Sequence, residues 1–318
     1  MQRGLGRVLV GFIVGVGVLG LCVVGVVYFL NSFDAPARAT HRCYVSDDES
    51  TYSLRAQQAD NSALIAAVGV DLSMAGDGVA IALATAMQES SLYNIDYGDR
   101  DSVGLFQQRP SQGWGSVEQI MDPVYSSTQF YTHLKDVPDY AGLPLTVAAQ
   151  TVQRSAFPDA YAQHEDSSRA WAAALSGNVS PVVSCSLPDQ KSFFAADEQE
   201  EALRIVEERV SQDFPDAKIE VVSEHGYIDV DPSQLPGKTV KNVATVMQWS
   251  VLTVHSTSVV AVTSEDWMWS LSRGREAGSD IGSAWHDFDS ADSESDQRFE
   301  QPESPEHIRL YVADYTSK

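Results

Sequence analysis

Basic residues are scarce: 21 Lys and Arg stand against 44 Asp and Glu, a net charge of −23. That balance excludes nucleic acid and any other partner held chiefly through phosphate contacts. Cysteine is scarcer still. Cys22, Cys43 and Cys185 are too few and too scattered for a zinc framework, which needs clustered pairs of ligands, or for a disulfide-rich scaffold. The seven His residues form no HExxH or paired spacing, so no metal site is expected. There is no GxxxxGKS, GxxxxGKT or GxSxG string, which removes the P-loop and nucleophile-elbow classes, and no cofactor is expected. The 318 residues suffice for two modest domains or one large one, at about 150 residues per domain.

What the chain does have is an N-terminal apolar run. Residues 8–30, VLVGFIVGVGVLGLCVVGVVYFL, form 23 residues without a charge, long enough as a helix at ~1.5 Å per residue to exceed the ~30 Å hydrocarbon core. The run predicts a membrane contact through residues 8–30, with residues 1–31 as cytoplasmic tail and transmembrane helix. A cleaved signal peptide is the competing reading, but its apolar region usually covers about 7–15 residues and ends at small residues, and no convincing site follows Tyr28. A lipoprotein is a further reading, since Leu19-Gly20-Leu21 precedes Cys22, although Leu21 is bulky where a small residue belongs. Arg3 and Arg7 nearly balance Arg38 and Arg42, so charge counting leaves orientation open. A single-pass protein with its soluble part outside the cytoplasm is expected on the strength of the motif described below. In an oxidising compartment Cys43 and Cys185 can pair, adding roughly 2–4 kcal/mol; the alternative is two unrelated thiols.

The soluble part reads as two units. A linker over 32–52 leads to a mainly helical region, 53–186. There Leu64, Ile65, Ala67 and Val68 fall on a helical period, and VAIALATAMQES, from Val79 to Ser90, is apolar on nearly every face until its end. Further helical patterns lie around 124–134, 145–153 and 168–175. A second linker, 187–195, precedes an α+β unit over 196–318. Its helices are predicted around 203–214 and 240–255, and its strands at 218–222, 227–231, 259–263, 267–272 and 308–312. Residues 287–306 carry eight acids and one base, so an acidic mobile loop is expected over about 280–306. The expected fold class is α+β multidomain: transmembrane helix, helical domain, and a small C-terminal α+β domain offering a surface to a protein partner.

The chemistry points to residues 84–110, ATAMQESSLYNIDYGDRDSVGLFQQRP. A carboxylate closing a buried helix meets both desolvation and the negative helix C-terminus, which raise the pKa of Glu89 and suit it to general acid work. Glycosidic cleavage needs such an acid, with the developing positive charge stabilised by a second carboxylate or by the substrate's own N-acetyl group. Asp96, Asp99 and Asp101 are candidates for the second carboxylate, but beside Gly98 they also suit a turn. Tyr93, Tyr97, Phe106, Trp114 and Tyr125 offer rings for stacking on sugars, and Gln107 and Gln108 offer hydrogen bonds. Arg100, Arg109 and Arg154 supply local positive charge in an otherwise acidic chain. Glu89 can equally cap or salt-bridge a structural helix, and Trp114 can equally anchor a loop. Phe157, Tyr161 and Trp171, at near-helical spacing, read as core.

Glu89-Ser90 after an apolar helix, followed by a polar stretch and Gly104-Leu105-Phe106-Gln107, resembles the Glu-Ser and Gly-Leu-Met-Gln pattern of the soluble lytic transglycosylases and goose-type lysozymes. The string SVGLFQQRPSQGWGSVEQIMDP, residues 102–123, also resembles membrane-anchored extracytoplasmic proteins of actinobacteria. The resemblance covers about residues 50–180. It implies a lysozyme-like, mainly helical fold that cleaves peptidoglycan glycan strands with one essential Glu. Glu89 would be the acid/base, and Gly104 to Gln107 would shape the cleft floor. The candidate substrate-binding set is Ser90, Ser102, Gly104, Phe106, Gln107, Gln108, Trp114 and Tyr125. Two departures stand out: Phe106 replaces Met, and the usual Tyr-Asn-x-Gly element is absent, its nearest counterpart being 148–154. The expected function is therefore a membrane-anchored peptidoglycan-cleaving or -remodelling enzyme, either a lytic transglycosylase or muramidase-like. The alternative is a non-catalytic glycan-binding or scaffold protein with a degenerate cleft. A transporter is poorly supported, because one span encloses no path.

Overall fold

The computed structural model describes residues 41–47, 49–74, 76–155, 158–179, 181–188, 199–287 and 299–312. Strands β1 (Arg42–Ser46) and β2 (Thr51–Arg55) open it. Their turn is fixed by Asp47, whose Oδ1 accepts from the Glu49 and Ser50 N–H groups at 2.9 and 2.6 Å. Helices α1 (Ala56–Asp71) and α2 (Gly76–Ser90) follow. α2 is apolar all round because α1, α4 (Pro123–Lys135), α5 (Leu145–Gln153) and α6 (Glu165–Leu175) all pack on it. The short α3 (Val117–Ile120) precedes α4. Pro123 at the first position of α4, behind an Asp122 carboxylate accepting from the Val124 and Tyr125 N–H groups, sets where that helix starts.

Strand β3 (Val183–Ser186) returns to β1, completing an antiparallel sheet of order β2-β1-β3. Cys43 lies opposite Cys185 in that pairing, and the two form a disulfide closing 142 positions of sequence. The second sheet is fed by α7 (Gln199–Asp213), β4 (Lys218–Val222), β5 (Tyr227–Asp231), α8 (Thr239–Leu252), α9 (Val254–Thr257), β6 (Val259–Thr263) and β7 (Trp267–Ser270). α10 (Leu271–Ala277), α11 (Ile281–Ala284), β8 (Trp285–Asp287) and β9 (Ile308–Val312) complete it. Its six antiparallel strands run β4-β5-β9-β6-β7-β8. The last strand, IRLYV, is buried throughout and lies between β5 and β6.

The expected fold class is corrected by this arrangement. In place of a helical domain separated by a linker from an α+β domain, His41 onward forms one compact unit of mixed helix and sheet. α8 packs on α1 and α6 as well as on β3 and β6. The buried Gln248 side chain joins the two regions, accepting from the Val182 N–H at 3.0 Å and donating to the Ala174 carbonyl at 2.6 Å. One hydrophobic core runs from Cys43 through Ile65, Trp171 and Trp249 to Val312. Among the described residues no helix is long and apolar enough to cross a membrane, and the expected transmembrane segment, 8–30, lies outside them.

Strands at 218–222, 227–231, 259–263 and 308–312 coincide with the observed β4, β5, β6 and β9. The strand expected over 267–272 stops at Ser270, whose hydroxyl accepts from the Arg273 N–H and caps α10. The acidic stretch expected as loop from about 280 begins instead with α11 and β8; residues 288–298 lie outside the described residues.

Candidate active site

α2 ends in Glu89 and Ser90, and the chain then turns through Ser91 and Leu92, both left-handed at φ 54° and 61°. Farther on, Val103 and Gln108 pair as an antiparallel bridge around a tight turn. The turn requires Gly104: its φ is +80°, and a Cβ there would sit 2.8 Å from the Ile120 carbonyl oxygen. Ser90 ties this turn to the end of α2. Its hydroxyl, already near the Ala86 carbonyl at 3.1 Å, donates to the Leu105 carbonyl at 2.7 Å. On the other side the Gln153 amide, at the end of α5, donates to the Phe106 carbonyl at 2.8 Å.

A cleft of about 930 Å³ opens beside Glu89. Of the residues proposed from sequence, Ser102, Gln107, Gln108 and Trp114 line it with Glu89. Ser90, Gly104, Phe106 and Tyr125 do not. Ser90 is a buried tether, and Gly104 is a backbone requirement of the turn. Phe106 is fully buried and stacks on Phe130 at 4.7 Å, so its ring serves the core rather than a sugar. Tyr125 lies behind the Trp114 loop, its hydroxyl donating to the Trp114 carbonyl at 3.2 Å. Trp114 itself faces the cleft, backed by the His133 ring at 4.2 Å. Gln108 is almost fully buried; its Nε2 donates to the Ser126 carbonyl at 3.0 Å.

Burial pushes the Glu89 carboxyl above the usual glutamate range; bonds from Tyr161 and Gln153 and the positive charge of Arg109 pull the other way without reversing it. Tyr161 donates its hydroxyl to Glu89 Oε1 at 2.8 Å. Burial, then the neighbouring carboxylate, holds the Tyr161 phenol far above its ordinary range, so it stays a donor. Sequence spacing places Tyr161 among core residues. It is indeed fully buried, but its hydroxyl reaches the site from the 3₁₀ segment Pro158–His164. Phe157, also read as core, lies outside the described residues.

Of the neighbouring acids, Asp96 is exposed and does not line the cleft, and Asp99 and Asp101 are engaged by other groups. Asp99 pairs with Arg109 at 2.8 Å, and Arg109 Nε also donates to Ser102 Oγ at 2.8 Å. Asp101 accepts from the Ser111 N–H and hydroxyl at 2.8 and 3.0 Å, bonds that hold its carboxyl below the usual range. Both acids brace the loop between α2 and α3, and neither is presented as a second catalytic carboxylate. Gln153, Arg154, Ser155 and His133 join the cleft wall from α5, the turn after it, and α4. Among the described residues no group of three or more His, Cys, Asp and Glu side chains is placed to hold a metal. No family model matches the chain, and no curated protein matches it.

Proposed function

We propose that this protein cleaves peptidoglycan glycan strands with Glu89 as its single acid/base. The observation that carries the reading is a carboxyl whose pKa is raised by burial, at the wall of a large cleft and held by the Tyr161 hydroxyl. The Glu89 carboxyl protonates the glycosidic oxygen as the bond from C1 breaks, and the positive charge at C1 needs a partner. With Asp96 away from the cleft lining and Asp99 and Asp101 engaged elsewhere, that partner is the carbonyl oxygen of the substrate's 2-acetamido group. The Glu89 carboxylate then takes a proton from water or from the muramyl 6-hydroxyl as that oxygen attacks C1, giving a reducing end or a 1,6-anhydro end. Trp114 offers the sugar platform, and Gln107 and Gln153 offer polar contacts. The Cys43–Cys185 disulfide favours an oxidising, extracytoplasmic setting for this chemistry.

The test incubates the full-length chain and Glu89→Gln with purified sacculi and identifies the soluble products by mass spectrometry. Release is expected from the parent and should fall by about 10²–10⁴ in the variant, the contribution of a positioned general acid. Anhydro ends identify a transglycosylase, and reducing ends a hydrolase. Equal release from both proteins overturns the role of Glu89. Retention of sacculi by both with no release favours a non-catalytic glycan-binding protein instead.

A further inference from the structure

The cleft does not share the sign of the molecule. The chain carries −23, yet three guanidiniums, Arg100, Arg109 and Arg154, line the Glu89 cleft against two carboxyls, Glu89 and Asp99. Asp99 is neutralised by Arg109, and burial favours the uncharged form of Glu89. That leaves the charges of Arg100 and Arg154 uncompensated. Among the described residues neither guanidinium has a hydrogen-bond or ion-pair partner, and both are exposed.

Their backbone adds a second, independent observation. Arg100 has φ 58° and Arg154 has φ 52°, the left-handed region in which glycine or asparagine is the ordinary choice. Arg154 occupies the position that ends α5, its N–H bonded to the Gln150 carbonyl at 2.8 Å. Helices commonly close there with glycine. A cation at Arg154 complements the dipole at the end of α5, but the left-handed backbone calls for arginine at neither position, and what the two side chains share is the cleft.

We infer that Arg100 and Arg154 bind carboxylate groups carried by the glycan, so that the cleft selects anionic strands over neutral ones. The inference rests on the glycan-cleaving reading of the same cleft. A planar guanidinium fork matches a carboxylate in two parallel hydrogen bonds. The acidic remainder of the protein repels an anionic polymer only within a screening length of about 8–10 Å, so short-range arginine contacts decide engagement. Of the three arginines, only Arg109 contributes to the electrostatics of Glu89. Arg100 and Arg154 therefore offer positive charge to a ligand without lowering the Glu89 pKa. Muramyl units supply the carboxylate in two ways: the lactyl group where the stem peptide has been removed, or the stem peptide's own carboxyls where it remains.

The experiment measures binding by calorimetry with full-length Glu89→Gln, so that turnover does not consume the ligand, and with the same chain also carrying Arg100→Gly and Arg154→Gly. Glycine suits both backbone positions, so the melting temperature should hold or rise. Three probes are used: neutral β-1,4-N-acetylglucosamine oligomers, peptide-free muramyl strands, and peptide-bearing strands. The parent background should prefer at least one anionic probe over the neutral one, and whichever it prefers names the carboxylate source. The arginine-to-glycine pair should cut that preference about tenfold, the scale of two partly exposed charge pairs. Equal affinity for all three probes, no binding to any, or an unchanged preference in the glycine variant overturns the inference. Arginine-dependent binding together with no fragment release by the wild-type chain would leave carboxylate recognition standing and remove the catalytic reading.

Discussion

Tyr161 donates a 2.8 Å hydrogen bond to Glu89 from 72 positions away in sequence. The bond joins the segment before α6 to the end of α2, and it opposes the burial that raises the Glu89 pKa, because it favours the charged form. Removing it in Tyr161→Phe should raise that pKa further. The alkaline limb of the pH–rate profile, where the general acid loses its proton, is then expected to move to higher pH. The rate at the optimum should fall several-fold, because one rotamer of the carboxyl is no longer held. A limb that stays in place or moves to lower pH would show that the bond does not act on the acid.

The same raised pKa has a consequence for stability. A carboxyl whose folded pKa exceeds its unfolded value favours the fold fully below the unfolded pKa, and that contribution is lost as pH rises through the folded pKa. Glutamine imitates the protonated form at every pH and still accepts from Tyr161. Glu89→Gln is therefore expected to melt higher than the parent at neutral pH. The difference should vanish below the ordinary glutamate value of 4.5. Thermal unfolding at a series of pH values checks this, and a variant that melts lower than the parent at neutral pH contradicts the raised pKa.

The Cys43–Cys185 bond ties β1, ahead of the first helix, to β3, beyond the last helix of the site, across 142 positions. Closing so long a loop restricts the unfolded chain, and its removal should cost roughly 2–5 kcal/mol. Urea unfolding of the oxidised protein and of Cys43→Ala/Cys185→Ala measures it. Coincident midpoints would mean that the sheet holds the two ends together without the bond.

Sequence patterning reached some of this and missed the rest for identifiable reasons. Glu89 was legible because nine apolar or small residues, VAIALATAM, run straight into a Gln and a carboxylate, so burial and charge meet within one helix. β4 and β5 were legible from their alternation. Phe106 and Trp114 could not be told apart: both are aromatic residues in a polar stretch, and only the packing of α4 decides that one ring stacks on Phe130 and the other faces the cleft. Tyr161 is core, as its spacing indicates, but its bond to Glu89 was not legible, because spacing reports which face is buried, not where a hydroxyl at the end of a buried ring points. The joining of the two expected domains was hidden as well, since Gln248 and Arg209 are polar residues within helices, and polarity alone reads as solvent-facing.

Arg209 makes that last point testable. From α7 its Nε donates to Asp213 at 2.8 Å and its terminal nitrogen to Asp60 on α1 at 3.0 Å, while Ser256 on α9 donates to the same Asp60 oxygen at 2.8 Å. Asp213 is almost wholly buried, with Trp249 Nε1 donating to its Oδ2 at 2.7 Å. Burial raises the Asp213 pKa even though Arg209 lowers it. Arg209→Met takes away the opposing charge and leaves that carboxylate buried with the indole as its remaining side-chain donor. The expected loss is about 3–5 kcal/mol at neutral pH, the scale for breaking a buried pair from one side. Without Arg209 the Asp213 pKa rises further, so the carboxyl becomes neutral on mild acidification and the penalty for the missing partner shrinks. Urea unfolding of parent and variant at pH 7 and pH 5 should therefore show a smaller gap at the lower pH. An equal gap at both would mean that the loss comes from packing of the arginine stem rather than from the stranded charge.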